Sequence, residues 1–251
     1  MISVCMTTFN GEKYIKAQLF SILKQMGEND EIIISDDSSS DHTIEIIEEI
    51  DDKRIILLKG NRFNSPIFNL ENALKHSIGD YIFLADQDDI WLPNKVKETI
   101  KHINKNNVVM SDAMLVDEQL NIKSSTLDSW RIYKSGFFRN LWKNRYLGCC
   151  MAFHREKLNH ILPFPKKIKA HDVWIGLLAE LSGGLIYLPI PLIKYRRHEN
   201  NFSTVGNKSK NSNLLKFTYR FHFIIITLSR TLKCYFLYHN VSDSGDRIKY
   251  N

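Results

Sequence analysis

Strand-like and helix-like segments alternate over the first 110 residues of this 251-residue chain. Short apolar runs predict five strands, at Ile2–Thr8, Glu31–Ser35, Arg54–Leu58, Tyr81–Ala85 and Val108–Ser111. Helical spacing and capping residues predict four helices between them, near Tyr14–Leu23, Thr43–Ile50, Phe68–His76 and Pro93–Lys105. Because parallel strands need a crossover that a helix supplies, the order predicts an α/β fold with a mostly parallel sheet flanked by helices.

Three clusters of polar residues directly follow three of these strands. They are Thr7-Thr8-Phe9-Asn10, Asp36-Asp37-Ser38-Ser39 and Asp86-Gln87-Asp88-Asp89. Open α/β sheets bind ligands outside the carboxyl ends of their strands, which is where these clusters would meet. The sequence therefore predicts one ligand site along this edge. It carries no Gly-x-Gly-x-x-Gly loop and no Walker-type loop.

The third cluster holds three carboxylates within four residues, Asp86, Asp88 and Asp89. Like charges at this spacing raise one another's pKa unless a cation offsets them. Mg²⁺ and Mn²⁺ take oxygen ligands and are commonly held by one or two carboxylates together with substrate phosphates. The cluster therefore indicates a divalent-metal site for a phosphate-bearing ligand. The alternative is a solvated acidic helix start before Pro93, with Asp89 as the cap.

The pattern is looser after residue 112. A strand is expected at Leu147–Phe153, a helix at Val173–Leu181, and two short strands at Leu185–Leu188 and Leu192–Tyr195. The Gly-, Asn-, Lys- and Ser-rich segment Ser203–Asn213 indicates a linker. We therefore expect one domain over residues 1–205, followed by a linker and a helical tail over residues 206–251.

Charge is distributed unevenly along the chain. The net charge is +6, but residues 190–251 carry 11 Lys and Arg against 3 Asp and Glu, so the first 189 residues sum to −2. A basic tail on a near-neutral body indicates an anionic partner, either nucleic acid or a membrane surface. The four cysteines show neither metal-ligand nor disulfide spacing, and no signal peptide is evident, so a cytoplasmic location is expected.

The tail contains a candidate amphipathic helix between Leu214 and Phe236. On a helical wheel its apolar residues gather on one side and its cations on the other, namely Lys216, Arg220, Arg230 and Lys233. Cations within the most apolar stretch argue against a membrane-spanning helix and favour one lying in the membrane interface. The alternative is that the helix packs on the preceding domain or on a second subunit.

Four motifs in a fixed order give the chain a family resemblance. They are Met6–Gly11, Ser35–Thr43, Asp86–Pro93 and His171-Asp172-Val173-Trp174. Over about residues 1–205 the chain resembles the family 2 glycosyltransferases, which have the GT-A (Rossmann-like) fold. Within that family, Ala85–Trp91 together with Tyr195-Arg196-Arg197-His198-Glu199-Asn200-Asn201 looks most similar to bacterial rhamnosyltransferases that build surface polysaccharides.

The resemblance implies residues for the nucleotide sugar and the metal. Four match positions that hold the nucleotide, namely Thr7, Phe9, Asn10 and Asp37. An aspartate can accept the imide N–H of uracil or thymine; the alternative for Asp37 is a turn or helix cap. Asp88 matches the principal metal-binding carboxylate, and Asp86 completes the Asp-x-Asp pair, which also contacts the nucleotide sugar.

The resemblance also implies a base and a phosphate-binding loop. Asp172 matches the general base, with helix capping as its alternative, and His171 stands where many relatives carry a second acid. Trp174 is expected to be a core or wall residue, and the alternative is a platform for the acceptor sugar. The loop after the last strand matches the segment that closes over the donor diphosphate, with Arg196 and Arg197 as phosphate ligands and His198 in the metal shell; the alternative is a solvated basic loop.

The activity implied is metal-dependent, inverting transfer from a nucleoside-diphosphate sugar. The favoured donor is dTDP-L-rhamnose, and the favoured acceptor is a polyprenyl-diphosphate-linked glycan at the inner face of the cell membrane. A UDP-hexose is the alternative donor. A catalytically silent nucleotide-sugar-binding scaffold is the alternative from another class, a homodimer is considered, and nucleic-acid binding is not expected.

Overall fold

The computed structural model describes residues 1–127, 133–168, 170–199, 201 and 213–244, and for 213–217 and 237–244 it describes the helical backbone only. The described residues include a nine-stranded sheet. Its strands are β1 Ile2–Thr8, β2 Glu31–Asp36, β3 Ile55–Leu58, β4 Tyr81–Asp86, β5 Ile90–Trp91, β6 Val108–Val116, β7 Ile122–Ser124, β8 Met151–His154 and β9 Leu185–Arg196.

Eight α-helices are present in the described part of the chain. They are α1 Ile15–Leu23, α2 Thr43–Glu49, α3 Pro66–His76, α4 Lys95–Ile100, α5 Phe137–Trp142, α6 Leu158–Ile161, α7 His171–Leu181 and α8 Asn213–Ser244. Short 3₁₀ turns lie at Gly148–Cys150 and Arg155–Lys157.

The sheet is parallel in one half and mixed in the other. Its order is β3-β2-β1-β4-β8-β6-β9-β5, with β7 paired to β6. The block β3-β2-β1-β4 is entirely parallel. Next to it, β8 lies antiparallel to both β4 and β6, β9 runs parallel to β6, and β5 runs antiparallel to β9. The predicted α/β class with flanking helices is confirmed.

The parallel half is buried because its strands are nearly continuous apolar runs. Val4, Cys5 and Met6 of β1 are fully enclosed, as is the run Ile32–Ile34 of β2. Helix α3 packs on β1 and β2, and α1 packs on β5 and α2. A rigid core thus supports the loops that follow β1, β2 and β4.

Several elements of the mixed half differ from the sequence-based expectation. The two short strands expected near the end form one strand, β9, because register shifts opposite Asp112 absorb Pro189 and Pro191. Residues 148–150 form a 3₁₀ turn where a strand was expected. Helix α4 begins at Lys95, after Asn94 in a left-handed conformation, and β5, β7 and α5 were not predicted.

The tail helix α8 packs on α5, α6 and α7 through one side. Phe223 and Thr227 are fully buried there. The guanidinium group of Arg230 donates to the carbonyls of His160, Leu162 and Pro163, at 3.0, 2.7 and 2.9 Å. The alternative of packing on the preceding domain therefore holds for this side. No helix among the described residues is long and apolar enough to cross a membrane.

Candidate active site

The strand register brings the predicted polar clusters to one edge of the sheet. Thr7 is paired with Ser35 on one side and with Asp86 on the other. Because the three strands are parallel, the loops that follow them open on the same side. Asp37 and Asp88 each follow one of these strands within two residues, so the polar clusters share one edge of the sheet, as predicted from sequence.

Asp88 and His198 meet at this edge although 110 residues separate them. The Nε2 atom of His198 lies 2.8 Å from Oδ2 of Asp88, and the Asn201 amide donates to the same oxygen at 2.9 Å. The ring of Tyr14 stacks on the imidazole, with centroids 4.7 Å apart. The His198 side chain is only 7% exposed, and its Nδ1 atom has no partner in the described structure.

Arg196 ties together the elements around this pair. Its Nε atom donates to the Asp88 carbonyl at 2.7 Å, and its Nη1 atom donates to the Glu118 carbonyl at 2.6 Å. Its guanidinium group lies 4.8 Å from the centre of the Tyr14 ring. The guanidinium group is thus engaged by the protein itself, which differs from the predicted contact with a diphosphate. That contact stays a prediction for Arg196, and the buried geometry favours a positioning role.

Arg197 has a different environment. It lines an open cavity of about 320 Å³, together with Lys13, Tyr14, Glu118 and His198. Its backbone N–H donates to the Val116 carbonyl, which holds the loop start on β6. Arg197 is therefore the arginine of the pair whose side chain lies beside open space near His198.

Replacing these two arginines should separate positioning from ligand contact. We expect Arg196→Met to lower the free energy of unfolding by about 2–4 kcal/mol, because the Arg196 side chain is nearly buried and two part-buried carbonyls lose their donors. Arg197→Met should lower it by less and should weaken donor binding instead. Urea unfolding and nucleotide titration of both variants test this. Equal stability of the two variants would contradict the positioning role of Arg196.

Asp86 and Asp89 are held in an environment that disfavours their charge. Burial is the main cause that raises the pKa of Asp86 to about 7, and the charges of Asp88 and Asp172 add to it. Burial also raises the pKa of Asp89, with Asp88 and Asp86 adding to it. Oδ1 of Asp89 accepts the Arg196 N–H at 3.0 Å, so Asp89 does not cap α4.

The donor atoms at this edge fit a hard divalent cation. Clustered carboxylates with raised pKa values are relieved by a positive charge between them. Asp88 offers an oxygen and His198 a nitrogen at the rim, and ligand atoms of Asp86, Asp89 and Cys149 lie within 4.8 Å of one another. Burial raises the pKa of the Cys149 thiol, and a neutral thiol is a poor ligand for Mg²⁺ or Mn²⁺. The oxygen ligands therefore define the fit.

The predicted nucleotide-binding residues line the loops after β1 and β2. Phe9 is 57% exposed, and the Gln87 side-chain amide holds its backbone through two 3.0 Å hydrogen bonds. A Cβ atom at Gly11 would lie 2.3 Å from that amide oxygen, so a larger residue there would displace the Gln87 side chain. Asn10 adopts a left-handed φ of 51° and accepts the Ser40 N–H at 2.8 Å. The first two loops are thereby locked together.

The carboxylate of Asp37 holds the loop that precedes α3. It accepts backbone N–H groups of Phe63, Asn64 and Ser65, at 2.5, 3.1 and 3.1 Å. Oδ2 makes only one of these bonds, so it retains acceptor capacity. Contact with a nucleotide base stays a prediction for Asp37, and positioning of this loop is a further role that the sequence did not indicate.

Asp172 lies in the first turn of α7, near the carboxylate cluster. Its Oδ1 atom accepts the Val173 N–H at 2.7 Å, and the Asn144 amide lies 3.4 Å from Oδ2. Its charge helps to raise the pKa of Asp86, which indicates that the two carboxylates are close. Burial lowers the pKa of the neighbouring His171, which favours its neutral form.

Trp174 is a core residue, and the alternative of a sugar platform is wrong. Its side chain is fully buried, and its indole N–H donates to the Ile161 carbonyl at 2.9 Å. It therefore belongs to the packing of α7 against α6 and offers no platform to an acceptor sugar.

Sequence reasoning gave no roles to Asn201, Tyr14 and Gln87. Asn201 and Tyr14 reach the Asp88–His198 pair from distant segments, and Gln87 joins the loop after β4 to the loop after β1. Asn201 and Gln87 lie within two of the sequence motifs, so their position in those motifs could have indicated a role. Tyr14 had only its helical spacing, which equally fits a core residue.

Solved structures with the same fold are glycosyltransferases. The chain matches S. aureus TarS residues 1–349 in complex with UDP-GlcNAc at a TM-score of 0.66 and 18% identity. The match covers 89% of this chain and 66% of the TarS chain, which is slightly under two thirds. It matches the mannosyltransferase PcManGT of Pyrobaculum calidifontis, in complex with GDP-Man and Mn²⁺, at a TM-score of 0.52 and 19% identity, over 76% of this chain and 54% of that one. The fold is thus that of the GT-A glycosyltransferases.

Sequence comparison then gives the family. The model described as glycosyl transferase family 2 matches residues 3–162. Escherichia coli WfgD, a UDP-Glc:alpha-D-GlcNAc-diphosphoundecaprenol beta-1,3-glucosyltransferase, is 30% identical over 84% of this chain and 81% of its own. The dTDP-rhamnosyl transferase RfbG of Shigella flexneri is 29% identical over 78% of this chain and 72% of its own. The chain belongs to glycosyl transferase family 2 and is a nucleotide-sugar-dependent glycosyltransferase, which confirms the resemblance.

Proposed function

We propose that this enzyme transfers a sugar, with inversion, from a dTDP- or UDP-linked donor to a polyprenyl-diphosphate-linked glycan. The observation that carries this proposal is the contact of Asp88 with His198 at the carboxyl edge of the sheet, where the charge of Asp172 also acts on Asp86. It supports a metal-and-phosphate subsite with a candidate base near it, the arrangement that a single displacement at an anomeric carbon uses.

Each of these residues has a different role in this displacement. Asp172 takes the proton of the acceptor hydroxyl as its oxygen bonds to the anomeric carbon on the face opposite the donor phosphate. The bond from that carbon to the phosphate oxygen breaks, and the nucleoside diphosphate leaves with the electron pair. Asp88 and His198, with Asp86, would hold Mg²⁺ or Mn²⁺, which supplies positive charge to the diphosphate when bound. Arg197 supports the same phosphates from the cavity side.

The donor in this proposal is dTDP-L-rhamnose, with a UDP-hexose as the alternative. The relatives include both a dTDP-rhamnosyl transferase and a UDP-Glc-dependent enzyme. The stretch Tyr195–Asn201, which resembles rhamnosyltransferases, favours the former. Within it His198 and Asn201 contact Asp88, so the stretch belongs to the phosphate side of the site.

Thermal stabilisation by nucleotides tests the donor class. We expect dTDP with Mn²⁺, at about 100 times its Kd, to raise the midpoint of unfolding by about 5–10 °C, because ligand binds only the native state. UDP, GDP and CDP should give smaller shifts, and all shifts should shrink without Mn²⁺. A larger shift with UDP would move the donor to a UDP-sugar. No shift with any nucleotide in folded protein would favour the silent scaffold instead.

The proposed acceptor rests on Asp172 as the candidate base for an acceptor hydroxyl and on the relatives. WfgD acts, by its name, on a diphosphoundecaprenol-linked sugar. We therefore place the reaction at the inner face of the cell membrane, with residues 1–205 as the catalytic domain and the tail as the membrane-directed part. A homodimer remains the competing explanation for the tail.

A further inference from the structure

The tail helix α8 exposes an unusual amount of apolar surface. Phe221, Ile225, Leu228, Leu232, Tyr235 and Phe236, here called the outer stripe, are each between 45% and 61% exposed. They recur at steps of four and three residues, so they share one side of the helix. Contiguous apolar patches of this kind mark a binding surface.

The side of α8 that packs on the protein carries arginine as well as the buried Phe223. On this side Arg230 donates to three carbonyls around the end of α6 and lies 5.4 Å from the centre of the Trp174 ring. Those contacts fix the rotation of α8 about its axis. The outer stripe is thereby directed away from the domain.

Helix α5 extends this apolar surface. Phe138 and Trp142, one turn apart, are 73% and 65% exposed. Arg220 of α8 lies 4.0 Å from the centre of the Trp142 ring and donates to the Trp142 carbonyl at 2.9 Å, so the two helices adjoin. The Arg220 contacts therefore place the first turns of α8 next to the exposed aromatic residues of α5.

The charges around this surface are of one sign. Lys134, Arg139 and Lys143, here called the basic rim, are all exposed next to Phe138 and Trp142. Lys233 is exposed on α8. From residue 201 to residue 242 the sequence contains no Asp or Glu, but it contains six Lys and Arg. Exposed aromatic and aliphatic side chains bordered by cations match the interface of an anionic bilayer.

A second copy of this chain fits the same surface poorly. The spacing of the outer-stripe residues, alternately four and three, would suit a pair of packed helices. Such pairs commonly place opposite charges on either side of their apolar contact. A pair of α8 helices would set the exposed Lys233 of each copy beside the seam without an acidic partner, because α8 carries no acidic residue before Asp243. Anionic lipid supplies the missing negative charge and a second copy does not.

We propose that the outer stripe and the exposed side chains of α5 insert into the surface of an anionic membrane, with the basic rim on lipid phosphates. The role of membrane binding in sugar transfer rests on the proposed function. Asn144 closely follows α5 in the chain and contacts the candidate base Asp172. An acceptor anchored in that bilayer would meet the enzyme from the side of Asp172. Binding to lipid itself requires no catalysis.

Vesicle co-sedimentation with the full chain tests the proposal. Phosphatidylcholine vesicles are compared with equal mixtures of phosphatidylcholine and phosphatidylglycerol. We expect binding to the mixed vesicles, weakened by salt, and a loss of about tenfold or more in Ile225→Glu/Leu232→Glu, because two apolar insertions are removed. The basic-rim variant Lys134→Gln/Arg139→Gln/Lys143→Gln should lose the preference for phosphatidylglycerol.

A matched control uses apolar residues with similar exposure outside this surface. Ile78→Glu/Ile122→Glu changes the same number of charges at sites 65% and 59% exposed, and it should bind vesicles like the unaltered chain. Nucleotide-induced thermal stabilisation in every variant reports folding and the donor site independently. A failure of the proposed function would therefore remove the nucleotide shift and leave the vesicle result standing.

Two results would overturn the proposal. The first is no binding to mixed vesicles by folded chain that nucleotide stabilises. The second is a dimer in light scattering that Ile225→Glu/Leu232→Glu converts to monomer while vesicle binding is unchanged, which would assign the outer stripe to a second copy.

Discussion

Replacing Asp88 with asparagine should strongly reduce sugar transfer. Asn keeps the size of the side chain and can still accept from His198, but it removes the negative charge that faces the metal and phosphate subsite. We expect kcat/KM to fall by about 10³-fold, roughly 4 kcal/mol of transition-state stabilisation. The metal-dependent part of the nucleotide thermal shift should disappear as well.

Asp80→Asn is the matched control for this substitution. Asp80 precedes the opposite end of β4, is 64% exposed and pairs with the terminal amine at 3.2 Å. The same loss of charge there should leave transfer within about twofold, as for surface positions remote from a site. If Asp88→Asn retained most of its activity, the metal subsite would have to be built from Asp86 and Asp89 alone.

The edge that carries this site could be predicted because its signals are local. Nearly continuous apolar runs indicated the strands, and parallel strands place their following loops on one side. The strand pattern correctly predicts that Thr7, Asp37 and Asp88 lie at one edge of the sheet. Their spacing in sequence sufficed because each lies within two residues of a strand end.

The contacts between distant segments could not be predicted in the same way. The register shifts opposite Asp112 keep β9 continuous through two prolines, which carries Arg196 to Asp89 and His198 to Asp88. Proline is disfavoured inside strands, so Pro189 and Pro191 led to the prediction of two short strands in place of one. Arg196 was accordingly expected to face ligand, whereas tertiary packing gives its guanidinium group two part-buried carbonyls and the Tyr14 ring.

The orientation of α8 illustrates a second limit of sequence patterns. A helical wheel separates apolar from charged residues, but it does not say which side meets the protein. The carbonyls of His160, Leu162 and Pro163 offer a polar docking surface that Arg230 satisfies. Such a surface is created by the tertiary fold, so an arginine-bearing side of α8 packs inward and the outer stripe stays exposed.

Asp172→Asn should separate chemistry from donor binding. The Asn oxygen can still accept the Val173 N–H that Asp172 accepts at 2.7 Å, so the start of α7 should remain intact. An amide cannot take a proton from the acceptor hydroxyl at neutral pH, and we expect kcat to fall by about 10²–10⁴-fold. The dissociation constant of the nucleoside diphosphate, measured by calorimetry with Mn²⁺, should change by less than about threefold.

Asp172→Glu completes the test by keeping the carboxylate and moving it by one methylene. Partial activity in this variant, with none above background in Asp172→Asn, would identify proton removal as the function of the side chain, because a purely structural cap would respond in the opposite order. The anomeric configuration of the product, read by NMR, provides the independent check. A single displacement with Asp172 as base must invert it, and retention would require a covalent intermediate and a different assignment of the carboxylates at this edge.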